Sequence, residues 1–535
     1  MGDLVEDALD LVLDADPLFA SLLGLPGHDH RLRDVDEDGE RVLRARAVEI
    51  ADRARAADDV DELTLAVVLD QADAVVRRID ARLVEHTYSE SFAAPVTGLL
   101  GTLPLVRPTG EEAERAYLTR LAAIPRYLAQ VTDRNRTGLA TGRLPLAHLA
   151  KAAAARVERH LADPAADPLR TAGLTAPNAA ERDRLLAEAV RPAFAAYREF
   201  VLAEVVPQGR PEDRPGLCAL PDGDATYASL VRMYTTTDRT PEQLHRTGLD
   251  LIARLADEYA ELGFGTIAEV RERKRADPAL KWRDPDEVLA VARATIARAE
   301  SAAPSWFGRV PSARCAVERV PEADEPNAPL AYYLDPAMDG SRPGTYFVNA
   351  HRVEEQDRTG AEAVAFHEAV PGHHFQLALL QETGDLPVLR RIASIEAHIE
   401  GWALYAERLA DEMGLYSDAT ARLGMLALDS MRAARLVVDT GLHAFGWTRD
   451  QVVAYLRENT AMSDVDIQSE TDRYVEQPGQ ALAYMVGRLE FQRLRAEAAA
   501  RQGEGFDLRA FHDLVLASGP LPMDALAGLV ERRFA

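Results

Sequence analysis

His367-Glu368-Ala369-Val370-Pro371-Gly372-His373-His374 places three of the chain's 13 histidines within eight residues. Just upstream, Thr359-Gly360-Ala361-Glu362 has the pattern of a capping box, so the stretch is expected to ride on a helix opened by Thr359. A His-Glu-x-x-His helix sets two imidazoles one turn apart so that both reach one metal, with the Glu beside the water the metal activates. Here the residue four after His367 is Pro371, which cannot ligate and which removes a backbone donor from the helix. Gly372 follows and opens backbone angles closed to other residues. The turn is therefore expected to break and to fold His373 back toward His367. His374 is the alternative second ligand, but a regular helix separates positions seven apart by about 10.5 Å.

The next helical stretch carries the acids that a two-histidine site lacks. In Ser394-Ile395-Glu396-Ala397-His398-Ile399-Glu400-Gly401-Trp402-Ala403-Leu404-Tyr405-Ala406-Glu407, the carboxylates Glu396, Glu400 and Glu407 fall on one face at spacings of four and seven. Glu400 is the expected third ligand, and Gly401 beside it lets another backbone approach. Glu396 and Glu407 are expected to orient an imidazole, and Glu368 to act as general base. Zinc suits this donor set, as do other divalent transition ions. A His-Glu pair alone is common, and acidic helix faces are usually solvated. Three histidines so close together, followed by this acid face, lift the metal reading above that background. Farther on, Arg435, Asp439 and His443 recur every four residues on an otherwise apolar helix. They are expected to form a buried Arg–Asp ion pair and a polar histidine near the metal.

The chain counts 535 residues, with 61 Lys or Arg against 87 Asp or Glu and a net charge of −26. Duplex DNA or anionic lipid would be repelled over most of such a surface, so neither a nucleic-acid nor a membrane partner is expected. Cys218 and Cys315 are too few for a disulfide framework or a Cys-rich zinc site. No run approaches the ~18 apolar residues of a membrane span. Met1-Gly2-Asp3-Leu4-Val5-Glu6-Asp7 has no basic start and no apolar stretch behind it. These features lead to the expectation of a cytoplasmic protein.

Most of the remaining sequence reads as helix. Leu244, Leu249, Ile252, Leu255, Tyr259 and Leu262 recur at helical spacing behind the capping box Thr240-Pro241-Glu242-Gln243. Residues 1–205 form an N-terminal helical region, Pro207 to Gly223 is the linker candidate, and 206–535 carries the motifs; the two are expected to make one continuous fold. Cys315–Val320, Leu330–Leu334 and Thr345–Asn349 are short β-prone runs between Pro, Asp and Gly turns, expected to form one small sheet.

The blocks His367–His374, Glu400–Glu407 and Pro478-Gly479-Gln480-Ala481-Leu482-Ala483-Tyr484 resemble, in order, the bacterial family called domain of unknown function 885. Asp339-Gly340-Ser341-Arg342-Pro343-Gly344-Thr345-Tyr346-Phe347-Val348-Asn349 and Arg435–His443 look like further blocks of it. The resemblance implies kinship with zincin-like metallopeptidases: a large, mainly α fold with a deep cleft and a small β-sheet next to the metal helix. By it, His367 and Glu400 are ligands and Glu368 is the base. Zincins need a donor for the oxyanion, often Tyr or His; Tyr484 is the first candidate, with His443 and Tyr474 behind it. Related folds lay an extended peptide along a strand that precedes the metal helix, which would bring Tyr346 and Asn349 to substrate. Tyr474 and Gln480 are expected at the same cleft. The resulting expectation is a zinc-dependent hydrolase acting on peptide or amide bonds of short peptides or amino-acid conjugates. The alternatives are a metal enzyme acting on a small metabolite and a non-catalytic helical binding protein; retention of Glu368 argues against the latter.

Overall fold

The computed structural model describes residues 2–535 apart from 59, 92, 171, 172, 323, 324, 326–328 and 341. Ser341, part of one family-like block, thus lies outside the described residues. Helices dominate. Gly2–Ala15, Glu37–Ala56 and Glu62–Asp80 turn Leu4, Leu11, Ile50, Ala54, Val68 and Val75 into the same apolar core as Phe366, Phe375, Trp402 and Phe491. Burial of each large apolar side chain contributes about 1.5–3 kcal/mol. Asp36 and Asp61 cap the latter two helices, each accepting from the backbone N–H three residues on. A second core, around Tyr117, Leu121, Leu128, Phe194 and Val201, gathers on the long helix Glu111–Ala140.

The helices nearest the histidine motif are Gly223–Thr235 (α1), Pro241–Glu261 (α2), Ala361–Glu368 (α3), His373–Glu382 (α4), Glu396–Glu412 (α5), Ala419–His443 (α6), Asp464–Glu476 (α7) and Leu482–Gln502 (α8). Both halves of the Thr240 capping box form at the start of α2. Leu244, Leu251, Ile252, Leu255 and Tyr259 are buried, whereas Leu249 faces solvent.

The expected sheet is present, with strands Ala316–Arg319 (β1), Ala331–Leu334 (β2) and Thr345–Val348 (β3). Its order is β1-β3-β2, with β1 parallel and β2 antiparallel to β3. β3 is therefore the central strand, and its backbone groups are shared between two neighbours. No edge is left on it for an extended peptide, which corrects the edge-pairing expectation for Tyr346 and Asn349. Asn349 instead donates from Nδ2 to the carbonyl of Glu325 and accepts at Oδ1 from the His351 N–H, so its side chain closes the turn after the strand.

The Thr359 capping box does not form. Thr359 Oγ1 donates to Asp357, Gly360 occupies the cap position, and Glu362 accepts from Ser417 N while pairing with Arg298. A neighbour two residues back holds Thr359, and tertiary partners hold Glu362. The broken turn, by contrast, forms as read: α3 ends at Glu368 and α4 begins at His373. Trp402 Nε1 donates to the Pro371 carbonyl at 2.9 Å, which ties the turn to α5. α5 and α8 cross so closely that a Cβ on Gly401 would stand 2.5 Å from Gly487 Cα. That crossing brings Glu400 and Tyr484, near the starts of α5 and α8, to one place.

Candidate metal centre

His367, His373 and Glu400 each turn one ligand atom to a common point, all within 4.8 Å of one another. Glu400 Oε2 lies 3.5 Å from His367 Nε2 and 3.4 Å from His373 Nε2. The two rings stand nearly perpendicular, at 86°, with centroids 4.8 Å apart. A charge-assisted N–H···O bond would be shorter, about 2.7–2.9 Å. Ligand bonds of about 2.0–2.1 Å in tetrahedral array put donor atoms about 3.4 Å apart, the separation found here. Glu400 Oε2 is buried and has no hydrogen-bond partner, a costly state for a carboxylate oxygen that a cation would relieve. The donor set and its spacing fit a divalent transition ion.

The electrostatics agree with that fit. Burial would raise the Glu400 pKa, but the imidazoles of His373 and His367 hold it well below the usual carboxylate range. Burial would lower the His367 pKa, yet the Glu400 and Glu407 carboxylates raise it to about 9. This point in the fold draws positive charge. Glu407 is buried on α5 and lies 2.8 Å from His367 Nδ1, which donates to its Oε1; Arg432 pairs with the same oxygen at 3.0 Å. That bond fixes the ring so that Nε2 is turned toward Glu400.

Other sequence candidates divide into two groups. Near the centre, Glu368 makes no hydrogen bond or ion pair among the described residues, and its charge is felt by the buried Tyr346 phenol of β3. Tyr484 lies parallel to His367, the rings 14° apart with centroids at 6.4 Å. The Arg435 guanidinium stands 4.7 Å from the Tyr484 ring centroid, and Arg473 donates to its hydroxyl at 3.2 Å. Burial and then Glu400 raise the Tyr484 pKa, so it carries its proton at neutral pH. Gln480 bridges Arg473 and Glu396. Glu396 reaches Gln480 rather than an imidazole, and burial followed by Glu400 raises its pKa.

The rest are corrected by their partners. His374 accepts at Nδ1 from the Tyr333 hydroxyl and donates from Nε2 to the Ala313 carbonyl, each at 3.0 Å; with both nitrogens spent it cannot ligate. His443 accepts from Leu217 N and donates to the Tyr474 carbonyl, and burial lowers its pKa to about 4. It is a satisfied core histidine with no proton to offer a substrate. The Tyr474 hydroxyl donates to Glu470 and accepts from Arg435, so it is structural as well. The expected Arg435–Asp439 ion pair is absent: Arg435 pairs with Glu470, while Asp439 accepts from the Tyr227 hydroxyl and Gly479 N. A helical spacing of four permitted that pair, but α1 and α7 supplied closer partners.

Arg432, Glu470, Arg473 and Asp335 escaped the sequence reading. Arg432 lies on the same helix as Arg435, three residues earlier, but nothing local distinguishes the arginine that reaches Glu407. Asp335 follows β2; burial raises its pKa, opposed by His373 and Arg342.

The family model described as "Bacterial protein of unknown function (DUF885)" matches residues 17–530. The chain belongs to this family. The match extends well beyond the five blocks that first pointed to DUF885. Two solved structures share the fold over nearly the whole length. "The putative lipoprotein from Colwellia psychrerythraea" is 27% identical at a TM-score of 0.91, covering 99% of this chain and 98% of that one. "A putative lipoprotein of unknown function from Shewanella oneidensis" is 17% identical at a TM-score of 0.76, covering 98% of each chain. No curated protein matches the chain.

Both neighbours are described as lipoproteins, which corrects the cytoplasmic expectation for this DUF885 chain. Its grounds were the composition of a few N-terminal residues and the lack of an apolar run, and neither assigns a compartment. Among the described residues, no helix is long and apolar enough to cross a membrane.

Proposed function

We propose that this chain is a metal-dependent hydrolase, zincin-like in the way it presents its site, that cleaves peptide or amide bonds in short peptides or amino-acid conjugates. One observation carries the reading: His367, His373 and Glu400 converge on one point while Glu368, one residue after the first ligand, keeps its carboxylate uncommitted. A zinc ion, or another divalent transition ion, held by these three residues would polarise the scissile carbonyl and acidify the attacking water.

The chain's own groups supply the rest. Glu368 accepts the proton that the water loses and delivers it to the nitrogen of the leaving amine. Tyr484 keeps its proton and donates a hydrogen bond to the carbonyl oxygen as negative charge grows there. Arg473, bonded to the Tyr484 hydroxyl oxygen, holds that donor in place and makes its proton a stronger hydrogen-bond donor. Glu407 keeps His367 in one tautomer. The burial of His367 and His373, 4% and 8% exposed, excludes bulk water from the reacting groups and favours small substrates over folded chains.

The test is metal analysis of the purified protein joined to a peptide-library digest read by mass spectrometry. Stoichiometric zinc with cleavage products that disappear on chelation is the expected result. A library left uncut by fully metallated protein sinks the amide-hydrolase reading, and a chain that takes up no divalent metal sinks the metal reading itself.

A further inference from the structure

We infer that Gln376 is the positioning residue for His373, its side-chain oxygen accepting the Nδ1–H of that ring when Nε2 binds metal. The inference rests on the metal reading above and extends it to the second imidazole.

Two orphaned groups lead to it. His373 turns Nε2 to the common point beside Glu400; with Nε2 given to a metal there, the proton of the neutral ring belongs on Nδ1, and Nδ1 is buried with no partner. His367 meets the same requirement through Glu407. Gln376 is 2% exposed, and both its amide oxygen and its amide nitrogen are buried without a hydrogen bond. An interior glutamine with every hydrogen-bonding function unspent is a liability that an apolar residue would avoid.

The two groups lie on one face of α4, three residues apart. Helical side chains lean toward the N-terminus, so Gln376 reaches back over the turn that begins at His373. The terminal torsion of a glutamine is soft, and a modest rotation aims Oε1 at the ring. Groups facing His373 from other elements are Glu400, the His367 ring and the Asp335 carboxylate. Of these, Glu400 and His367 lie on the ligating side, which leaves Asp335 as the competing acceptor. The two centres of the clamp would then differ in kind: a carboxylate holds His367, and a neutral amide holds His373.

The test uses the full chain stripped of metal, with zinc alone as probe, titrated against a chromophoric chelator. Gln376→Met keeps the length and removes the acceptor. It should weaken zinc binding by about 10–100-fold, while the Tm of the metal-free protein stays level or rises. Gln376→Glu restores an acceptor and should recover zinc binding, and Asp335→Asn should leave it near wild type. In the zinc-loaded wild type, nitrogen NMR should report His373 protonated on Nδ1.

Zinc binding by Gln376→Met within about threefold of wild type overturns the inference and leaves the metal reading standing. So does a loss that follows Asp335→Asn instead. A lowered metal-free Tm in Gln376→Met without recovery in Gln376→Glu marks Gln376 as a packing residue and also overturns it. A wild-type chain that binds no zinc overturns the metal reading, and this inference with it.

Discussion

A Cβ on Gly372 would stand 1.9 Å from the carbonyl oxygen of His367. The turn after Glu368 closes onto the end of the helix it has just left, and only a residue without a side chain fits. This contact returns His373 to the neighbourhood of His367 after an interruption of the ordinary one-turn spacing.

Gly372→Ala should therefore be severe, with a loss of about 3 kcal/mol or more, because the clash is with backbone that cannot swing away. Zinc uptake should fall with it. Gly384→Ala, where an added methyl meets no atom within 4 Å, is the control and should stay within about 0.5 kcal/mol of wild type in a denaturant titration. Equal stability of the two variants would contradict the close-approach account.

Glu368→Gln should keep fold and metal yet lower turnover by about 10²–10⁴. The amide retains the shape of the side chain and loses the ability to accept a proton from water. Metal content and activity measured on the same preparation check this; a wild-type rate would exclude Glu368 as the base.

Tyr484→Phe removes a hydroxyl whose protein contact is Arg473. If the phenol steadies charge that appears only as the carbonyl is attacked, kcat should fall by about 10²–10³ with KM little changed. A rise in KM at constant kcat would instead make Tyr484 a substrate-binding group.

Glu470 gives stability a dependence on acid that involves none of the three candidate ligands. Burial would raise its pKa, but Arg435 and Arg473, with the Tyr474 hydroxyl, lower it to about 2. Because the folded value lies below the unfolded one, its contribution is fully present above about pH 4.5 and is lost as the pH falls toward 2. The difference is worth about 3 kcal/mol. Glu470→Gln should flatten the acid limb of the stability–pH profile between those values, and should destabilise the protein at neutral pH by leaving two arginines without their counter-charge. Profiles of identical slope would contradict the assignment.

Much of this protein was legible one residue at a time. The capping box at Thr240, the three strands and the break after Glu368 follow from turn chemistry and side-chain periodicity, which act over a few residues. So does the return of His373 toward His367, since Pro371 and Gly372 leave the chain few other ways to continue. Gly401 was readable as a point of close approach, though not that Gly487 would fill it.

The partners of polar groups were decided elsewhere. Glu362 has the position of a capping-box acid but bonds to Ser417 N and pairs with Arg298. Asp439 has Arg435 one turn away but bonds to Tyr227, and His443 looks available until Leu217 and Tyr474 take both its nitrogens. β3 reads as a strand with an edge to offer until β1 and β2 take its two sides. A buried polar atom must find some partner, and local spacing shows which are within reach along one helix. Only packing brings together groups hundreds of residues apart, and the best-placed of them takes the bond.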